Sequence, residues 1–169
     1  MAKITIFGGT GGLGSQILQS APDVDRLGTK HIDLTQTYEI EKYFIKHTPD
    51  IVLFFNAYNI NSFLHKFSIL EINRMITANI SGVTVATSAA LKHMRQKGYG
   101  RIIFASSVVT RKDVAGTSVY AASKAYYENL VKTIAVENAS KGITANCIQL
   151  GYMDGGLTYT LPKELLLKN

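Results

Sequence analysis

The sequence of 169 residues has one cysteine, Cys147, and so cannot form an internal disulfide. Because this cysteine lies in the apolar run ITANCIQL, we expect it to be a small core residue in a reducing compartment. No apolar segment approaches the roughly 20 residues that a membrane-spanning helix needs, and the stretch Ile4 to Phe7 is too short for a signal peptide. These absences predict a cytoplasmic protein with no membrane partner.

Two further kinds of site lack their usual sequence features. The four histidines are far apart and form no i, i+4 pair of the kind that binds zinc on a helix, so we predict no metal site. The 18 lysines and arginines exceed the 12 acidic residues, giving a net charge of +6 that would suit an anionic partner. Because the basic residues are scattered and concentrate only between Lys92 and Arg101, we expect no nucleic acid partner.

The hydrophobic pattern predicts a single α/β domain over residues 1–169, and its composition, with 46% hydrophobic and 18% charged residues, is that of a globular protein. Short apolar runs predict central strands of a parallel sheet at KITIF, IVLFF, RIIFA and ITANCIQL. Apolar residues at three- and four-residue intervals predict helices over Leu13–Ser20, Tyr38–His47, about Leu70–Lys97 and about Tyr120–Lys141, with Gly98 and Gly142 as stops. We therefore expect a Rossmann-like doubly wound parallel sheet with helices on both faces.

Two parts of the chain depart from this pattern. The segment from Ala21 to Lys30 is too short and polar for a full strand and helix, so we expect an abbreviated second β-α unit. Near the other end, Thr160 and Pro162 are typical of a helix start, but the sequence stops at Asn169 after barely two turns. We expect a truncated C-terminal end, as in part of a longer protein.

A glycine-rich turn, Gly8-Gly9-Thr10-Gly11-Gly12-Leu13-Gly14, joins the first predicted strand to a helix. Glycines permit a tight turn and a close approach to a pyrophosphate, whose charge is favoured at a helix N-terminus. Such a turn alone could be only a strand-to-helix connection, but in this context it predicts a dinucleotide site. The predicted cofactor-binding residues in the turn are Gly8, Thr10, Gly12, Leu13 and Gly14.

A second pattern lies in the C-terminal half. Ser107 ends a predicted strand thirteen residues before Tyr120, and Tyr120-Ala121-Ala122-Ser123-Lys124 opens the next helix. Together with the glycine-rich turn and Asn79 in TANISG, this pattern resembles the short-chain dehydrogenase/reductase family, and the 3-oxoacyl-[acyl-carrier-protein] reductases within it. The resemblance implies a NAD(P)-dependent oxidoreductase with Asn79, Ser107, Tyr120 and Lys124 as catalytic residues. It also implies that Asn79 anchors a water that relays protons from Lys124.

The residue types suit carbonyl reduction on chemical grounds as well. A carbonyl that receives a hydride becomes an alkoxide that needs a proton, and a tyrosine with a pKa of about 10 releases its proton reluctantly. Lys124, one helical turn from Tyr120, would lower the pKa of the Tyr120 hydroxyl. The Ser107 hydroxyl could hydrogen-bond the substrate oxygen as charge develops on it. We therefore expect Tyr120 to be the general acid/base.

The resemblance, which extends from Ile4 to about Gly156, implies further cofactor contacts. Asn56-Ala57 matches the family's Asn-Asn-Ala-Gly turn without its glycine, and Gly155 stands where a threonine usually binds the nicotinamide amide. Asp33-Leu34 matches the pair that contacts adenine, although Asp33 is also placed to bind the adenosine ribose, which would indicate NAD. Lys30 and Arg26 could pair with the extra phosphate of NADP, so NADP(H) is slightly favoured over NAD(H). The cofactor set outside the glycine-rich turn is Asp33, Leu34, Asn56, Ala57, Tyr120, Lys124, Gly151 and Met153.

The expected substrate is a small-molecule or carrier-bound carbonyl/alcohol pair, with a 3-oxoacyl thioester first and a sugar or other small carbonyl compound still open. By analogy the two long helices would form a homodimer or homotetramer, although their alanines could equally pack on the sheet. The alternative is a non-catalytic NAD(P)-binding regulatory or scaffold protein, which the altered Leu150 and Gly155 and the short C-terminal end would favour.

Overall fold

Strands and helices alternate along the chain in the computed structural model, which describes residues 2–17 and 24–153 apart from the side chain of Arg26. Its elements are β1 (Ile4–Phe7), α1 (Gly12–Ile17), β2 (Val24–Leu27), α2 (Thr37–Lys46), β3 (Ile51–Phe54), α3 (Ile69–Ile76), α4 (Gly82–Lys97), β4 (Gly100–Ser107), α5 (Ser118–Asn138) and β5 (Ile143–Leu150). The predicted helix start near Thr160 and the position of Gly155 lie outside the described residues.

The five strands form one parallel sheet in the order β2-β1-β3-β4-β5. The chain leaves β1 toward one side of the sheet, forms β2, and returns to place β3 on the other side of β1. In such sheets the crevice beyond the carboxyl ends of the two strands where the order reverses is the usual ligand site. The predicted Rossmann-like doubly wound fold is confirmed, with its switch point between β1 and β3.

The abbreviated second unit is confirmed as well. Val24–Leu27 forms a four-residue edge strand, although its sequence, VDRL, is half charged. The carbonyl oxygen of Leu27 accepts hydrogen bonds from Gly8 N at 2.8 Å and Gly9 N at 3.2 Å. From Gly28 to Gln36 the chain contains turns but no helix or strand before α2 begins. Backbone pairing with β1 therefore holds β2 in the sheet, and Leu27, 8% exposed, is its residue in the hydrophobic core.

The long helix predicted from about Leu70 to Lys97 is interrupted. α3 begins at a capping box in which Ser68 and Glu71 bond each other's backbone amides, and a π-helical turn at Thr77–Ser81 separates α3 from α4. The predicted stops are confirmed, since Gly98 and Gly142 have φ angles of 71° and 67°. No helix among residues 2–17 and 24–153 is long and apolar enough to cross a bilayer.

Aromatic rings from the three central strands stack across the sheet. Phe7, Phe54 and Phe104 occupy one register, with ring centroids 5.1 Å apart for the first pair and 4.9 Å for the second. All three are at most 1% exposed. Ala86 and Ala90 of α4 are also fully buried within this chain, so they pack in the core, while Cys147 is partly buried against it. The core thus joins the strands whose ends carry the predicted site.

Replacing the middle ring tests this description of the core. We expect Phe54→Ala to lower the free energy of unfolding by about 3–5 kcal/mol. Loss of the ring leaves a cavity between Phe7 and Phe104, and these neighbouring rings cannot move far enough to fill it. Urea unfolding followed by circular dichroism measures the change. Tyr38→Ala on α2, where the side chain is 71% exposed, is the control and should change the value by less than about 1 kcal/mol. Equal effects of the two substitutions would contradict the packing.

Candidate active site

A cavity of about 610 Å³ lies beyond the carboxyl ends of β1, β3 and β4, a volume in the range of small-molecule sites. Its wall combines the turn after β1, the segments after β2 and β3, the end of β4 and the start of α5. The predicted site residues that line it are Gly8, Thr10, Gly12, Leu13, Asp33, Leu34, Asn56, Ala57, Ser107, Tyr120, Lys124, Gly151 and Met153. The fold thus brings together almost all of the predicted residues, leaving out only Gly14 and Asn79.

The glycine-rich turn needs its glycines for backbone contacts. Gly8 has a φ of +80°, and a Cβ there would lie 2.6 Å from the amide nitrogen of Asn56 after β3. A Cβ at Gly14 would lie 2.4 Å from the carbonyl oxygen of Gly8. The lack of a side chain at Gly14 therefore lets α1 pack directly against the Gly8 carbonyl. The lack of a side chain at Gly8 lets the turn after β1 contact the segment after β3 at the switch point.

Lys124 is the most deeply buried charged residue of the cavity wall, with 2% of its surface exposed. Its Nζ donates hydrogen bonds to the carbonyl oxygens of Ala105 at 2.9 Å and Asn56 at 3.3 Å. Burial lowers the pKa of Lys124 to about 7. Two strand ends, β4 and β3, are thus joined to α5 by one ammonium group.

Tyr120 and Ser107 complete the predicted catalytic group. Burial raises the pKa of Tyr120 to about 12, and Lys124 Nζ lies 5.6 Å from the centre of the Tyr120 ring. The expected lowering of the Tyr120 pKa by Lys124 is thus not what the structure shows, because burial disfavours the charged form of both groups. Ser107 ends β4, and its Oγ accepts a hydrogen bond from Val109 N at 3.4 Å.

Asn79 lies behind the cavity and holds the segment that follows β3. It is fully buried in the π-helical turn, where its Oδ1 accepts from Tyr58 N at 2.9 Å and its Nδ2 donates to the Tyr58 carbonyl at 2.7 Å. Its own carbonyl oxygen accepts a hydrogen bond from the hydroxyl of Tyr127. Tyr127 was not predicted to take part, because a tyrosine in an apolar helix pattern is typical of a core residue.

On the side of the cavity near β2, Asp33 and Leu34 shape the wall. Asp33 Oδ1 accepts from both the amide and the hydroxyl of Thr35 at 2.9 Å, which forms a local turn. A Cβ at Gly82 of α4 would lie 2.0 Å from the Leu34 carbonyl oxygen, so this turn packs directly on α4. Lys30, three residues before Asp33 in the chain, is exposed.

Two buried side-chain oxygens of the wall, Oδ1 of Asn56 and Oδ1 of Asn59, have no hydrogen-bond partner among the described residues. Oδ1 of Asn56 is out of contact with solvent and accepts no hydrogen bond. Buried acceptors are nearly always paired, so an unpaired one in a cavity wall suits a ligand with hydrogen-bond donors. Within the described part of the chain, no three His, Cys, Asp or Glu residues are grouped to hold a metal ion.

Fold and cavity together define a Rossmann-type nucleotide-binding domain. The profile of the short chain dehydrogenase family matches residues 25–165. The chain belongs to the short-chain dehydrogenase family.

Curated relatives carry dehydrogenase and reductase names. The chain is 34% identical to cis-4-hydroxycyclohexanecarboxylate dehydrogenase of Sinomonas cyclohexanicum, over 60% of this chain and 41% of that protein. It is 34% identical to acetoacetyl-CoA reductase of Rhizobium meliloti, over 63% of this chain and 44% of that protein. It is 26% identical to the 3-oxoacyl-[acyl-carrier-protein] reductase MabA of Mycobacterium avium, over 96% of this chain and 71% of that protein. The matches to the first two cover less than half of each relative.

Solved structures share the fold at lower identity. A variant of ElxO with NADPH bound superposes with a TM-score of 0.82 at 20% identity, over 95% of this chain and 77% of that one. A short-chain dehydrogenase from Streptomyces avermitilis gives a TM-score of 0.78 at 20% identity, over 94% and 68% of the two chains. These structures confirm the Rossmann-like sheet.

The burial of Lys124 predicts a specific pH dependence of stability. Its pKa is about 7 in the folded protein and ordinarily 10.5, so the unfolded chain binds more protons between these values. The free energy of unfolding should therefore gain a contribution that grows as the pH rises from about 7 to about 10. Urea unfolding at several pH values should show this rise in the wild type and not in Lys124→Met. Parallel curves for the two proteins would mean that Lys124 keeps an ordinary pKa.

Proposed function

We propose that the protein is a NAD(P)-dependent oxidoreductase that interconverts a carbonyl group and an alcohol. The observation that carries this proposal is the convergence of Ser107, Tyr120 and Lys124 on the cavity that begins at the glycine-rich turn. A hydroxyl donor, a phenol and a buried amine suit an oxygen atom that must be held and protonated. When bound, a reduced nicotinamide supplies the hydride that the carbonyl carbon receives.

The cavity suits a dinucleotide in three respects. The glycine-rich turn brings backbone amides to the start of α1, where a pyrophosphate is favoured. Asp33 lines the side next to β2, where the adenosine half would lie. The unpaired Asn56 Oδ1 offers an acceptor near Lys124, whose Nζ bonds the carbonyl of the same residue. Gly151 and Met153 would contact the nicotinamide half.

The proposed proton chemistry follows from the two pKa values. With a pKa of about 12, Tyr120 keeps its proton at neutral pH, which is the state a general acid needs. Tyr120 would give that proton to the alkoxide oxygen that hydride addition creates, while Ser107 donates a hydrogen bond to the same oxygen. Lys124, with a pKa of about 7, would exchange protons readily at neutral pH and restore the Tyr120 hydroxyl. Asn79 would hold the Tyr58 backbone in place and, as in the family, would bind a water that relays protons from Lys124.

The proposed substrate is a 3-oxoacyl thioester, free or carrier-bound. Two of the relatives are named as an acetoacetyl-CoA reductase and a 3-oxoacyl-[acyl-carrier-protein] reductase. The third relative is named as a cis-4-hydroxycyclohexanecarboxylate dehydrogenase, so other alcohols and carbonyl compounds belong in the same assay.

We further propose that the protein is cytoplasmic and forms a homodimer or homotetramer through α4 and α5.

Removing one hydroxyl tests the proposed reaction. We expect Tyr120→Phe to lower kcat for acetoacetyl-CoA reduction by roughly 100-fold or more, because the general acid is lost. The absorbance of NADPH and of NADH measures turnover, and Tyr38→Phe on the exposed face of α2 is the matched control. Full activity of Tyr120→Phe would contradict the proposal. Tight NADPH binding without turnover of any carbonyl compound in the panel would favour the non-catalytic regulatory or scaffold protein.

A charge reversal tests the cofactor preference. We propose that NADP(H) is preferred, with Lys30 pairing with the extra phosphate, and the NADPH-bound ElxO structure of the same fold supports this choice. Lys30→Glu should then lower kcat/KM for NADPH by about tenfold or more while leaving the value for NADH nearly unchanged. An equal effect on both cofactors, or a wild type that prefers NADH, would indicate instead that Asp33 binds the ribose of NAD.

A further inference from the structure

A cluster of polar side chains outside the predicted catalytic group centres on Glu128 of α5. Glu128 Oε1 accepts hydrogen bonds from Ser106 Oγ at 2.7 Å, Thr110 Oγ1 at 2.6 Å and Gln149 Nε2 at 2.8 Å. Arg111 lies 3.4 Å from its other oxygen. The Glu128 side chain is only 17% exposed. Three donors to one oxygen of a mostly buried side chain form a specific hydrogen-bonded cluster, whereas the sequence indicates only a polar residue on a helix.

The partners of Glu128 flank Ser107 on both sides. Ser106 precedes Ser107 at the end of β4, and Thr110 follows it in the short 3₁₀ turn after the strand. The hydroxyl of Thr110 also lies 2.9 Å from the carbonyl oxygen of Ser107. One carboxylate thus holds the backbone immediately before and after the proposed hydrogen-bond donor.

The same carboxylate joins three elements of the fold. Gln149 is paired in register with Ser106, so the cluster includes neighbouring positions of β4 and β5. Glu128 lies one helical turn beyond Lys124, and Ser106 Oγ is also 3.3 Å from the Lys124 carbonyl oxygen. The end of β4 and the start of α5 are therefore fixed against each other at the point where the cavity needs them.

The electrostatics favour the ionised form of Glu128. Burial would raise the pKa of this carboxyl, but the hydrogen bonds from Gln149, Thr110 and Ser106, together with the nearby Arg111 cation, outweigh that effect and hold the pKa below its ordinary value. A carboxylate that accepts hydrogen bonds from several donors forms stronger bonds than a neutral acceptor would. Glu128 remains an acceptor throughout the neutral pH range.

We propose that Glu128 is a positioning residue, which holds Ser106 and Thr110 so that the Ser107 hydroxyl keeps its place relative to Tyr120 on the same helix. The inference rests on the proposed function, since it assumes that Ser107 and Tyr120 act on one substrate oxygen. It assigns to Glu128 an effect on the chemical step and none on cofactor binding, because none of its contacts belongs to the glycine-rich turn or to the segments after β2 and β3.

A double-mutant cycle with Ser107 tests this role directly. We expect Glu128→Ala to lower kcat for acetoacetyl-CoA by roughly 10- to 100-fold, with a change of less than about threefold in the dissociation constant of NADPH measured by fluorescence titration. In a Ser107→Ala background, Glu128→Ala should cost less than about threefold in kcat, because a residue that acts through Ser107 has nothing left to position. Glu128→Gln keeps an oxygen acceptor and should restore kcat to within a few-fold of wild type.

Asp50→Asn serves as the matched control. Asp50 is also a buried carboxylate, 5% exposed, and accepts from Lys3 N at 2.9 Å and from Lys97, but it lies at the opposite ends of the strands, before β3. This substitution should lower the melting temperature and leave kcat unchanged. It thereby separates a loss of stability from a loss of positioning.

The outcomes distinguish the inference from the function on which it rests. Equal losses from Glu128→Ala with and without Ser107, or failure of Glu128→Gln to restore kcat, would overturn the positioning role. Loss of activity in Ser107→Ala but not in Glu128→Ala would overturn the inference alone. A Ser107→Ala variant with wild-type kcat would overturn the proposed role of Ser107, and the inference with it.

Discussion

The buried ammonium group of Lys124 requires hydrogen-bond acceptors in a place that water barely reaches. The fold supplies them as the carbonyl oxygens of Ala105 and Asn56, which belong to the ends of two neighbouring parallel strands. Parallel strands end at the same edge of a sheet, so this pair of acceptors exists only because β3 and β4 are adjacent. The position of the amine therefore depends on the order of the strands.

The same strand order creates the rest of the cavity. Reversal of the order between β1 and β3 brings the glycine-rich turn against Asn56, at a distance that leaves no room for a side chain at Gly8. Asn79 then holds the Tyr58 backbone through two hydrogen bonds from the π-helical turn. The proposed dinucleotide side and the proposed catalytic side of the cavity thus meet at the segment after β3. A change in the backbone of that segment would therefore alter the geometry of both sides.

Much of this arrangement could be predicted from the sequence, because the features concerned are local. Four strands follow from uniformly apolar runs, two helix ends follow from Gly98 and Gly142, and the presence of Ser107, Tyr120 and Lys124 in one cavity wall follows from their spacing. The strand Val24–Leu27 could not be predicted in this way, since its hydrogen bonds to β1 stabilise it and its side chains are half charged. The π-helical turn could not be predicted because the apolar pattern continues through it. The Asn79 carbonyl oxygen in this turn accepts a hydrogen bond from the hydroxyl of Tyr127, which is distant in the sequence.

The sequence also does not reveal which polar side chains the fold buries. Glu128 has the residue type of a solvated helix face, and only the fold shows that β4 and β5 supply three donors to it. In the same way, the spacing of Tyr120 and Lys124 predicts a charge that favours the phenolate, whereas burial raises the pKa of one and lowers the pKa of the other. Spacing along the chain predicts which groups meet, and their protonation depends on how much water the fold removes.

The measurement that tests the central claim most directly is calorimetric titration of NADPH and NADH into the wild type and Gly14→Ala. A Cβ at Gly14 would lie 2.4 Å from the Gly8 carbonyl oxygen, so the glycine-rich turn must shift in the variant. We predict that the wild type binds at least one of the two cofactors and that the variant binds it about tenfold or more weakly. No binding of either cofactor to the wild type, or equal binding to both proteins, would contradict the claim that the crevice between β1 and β3 is a dinucleotide site.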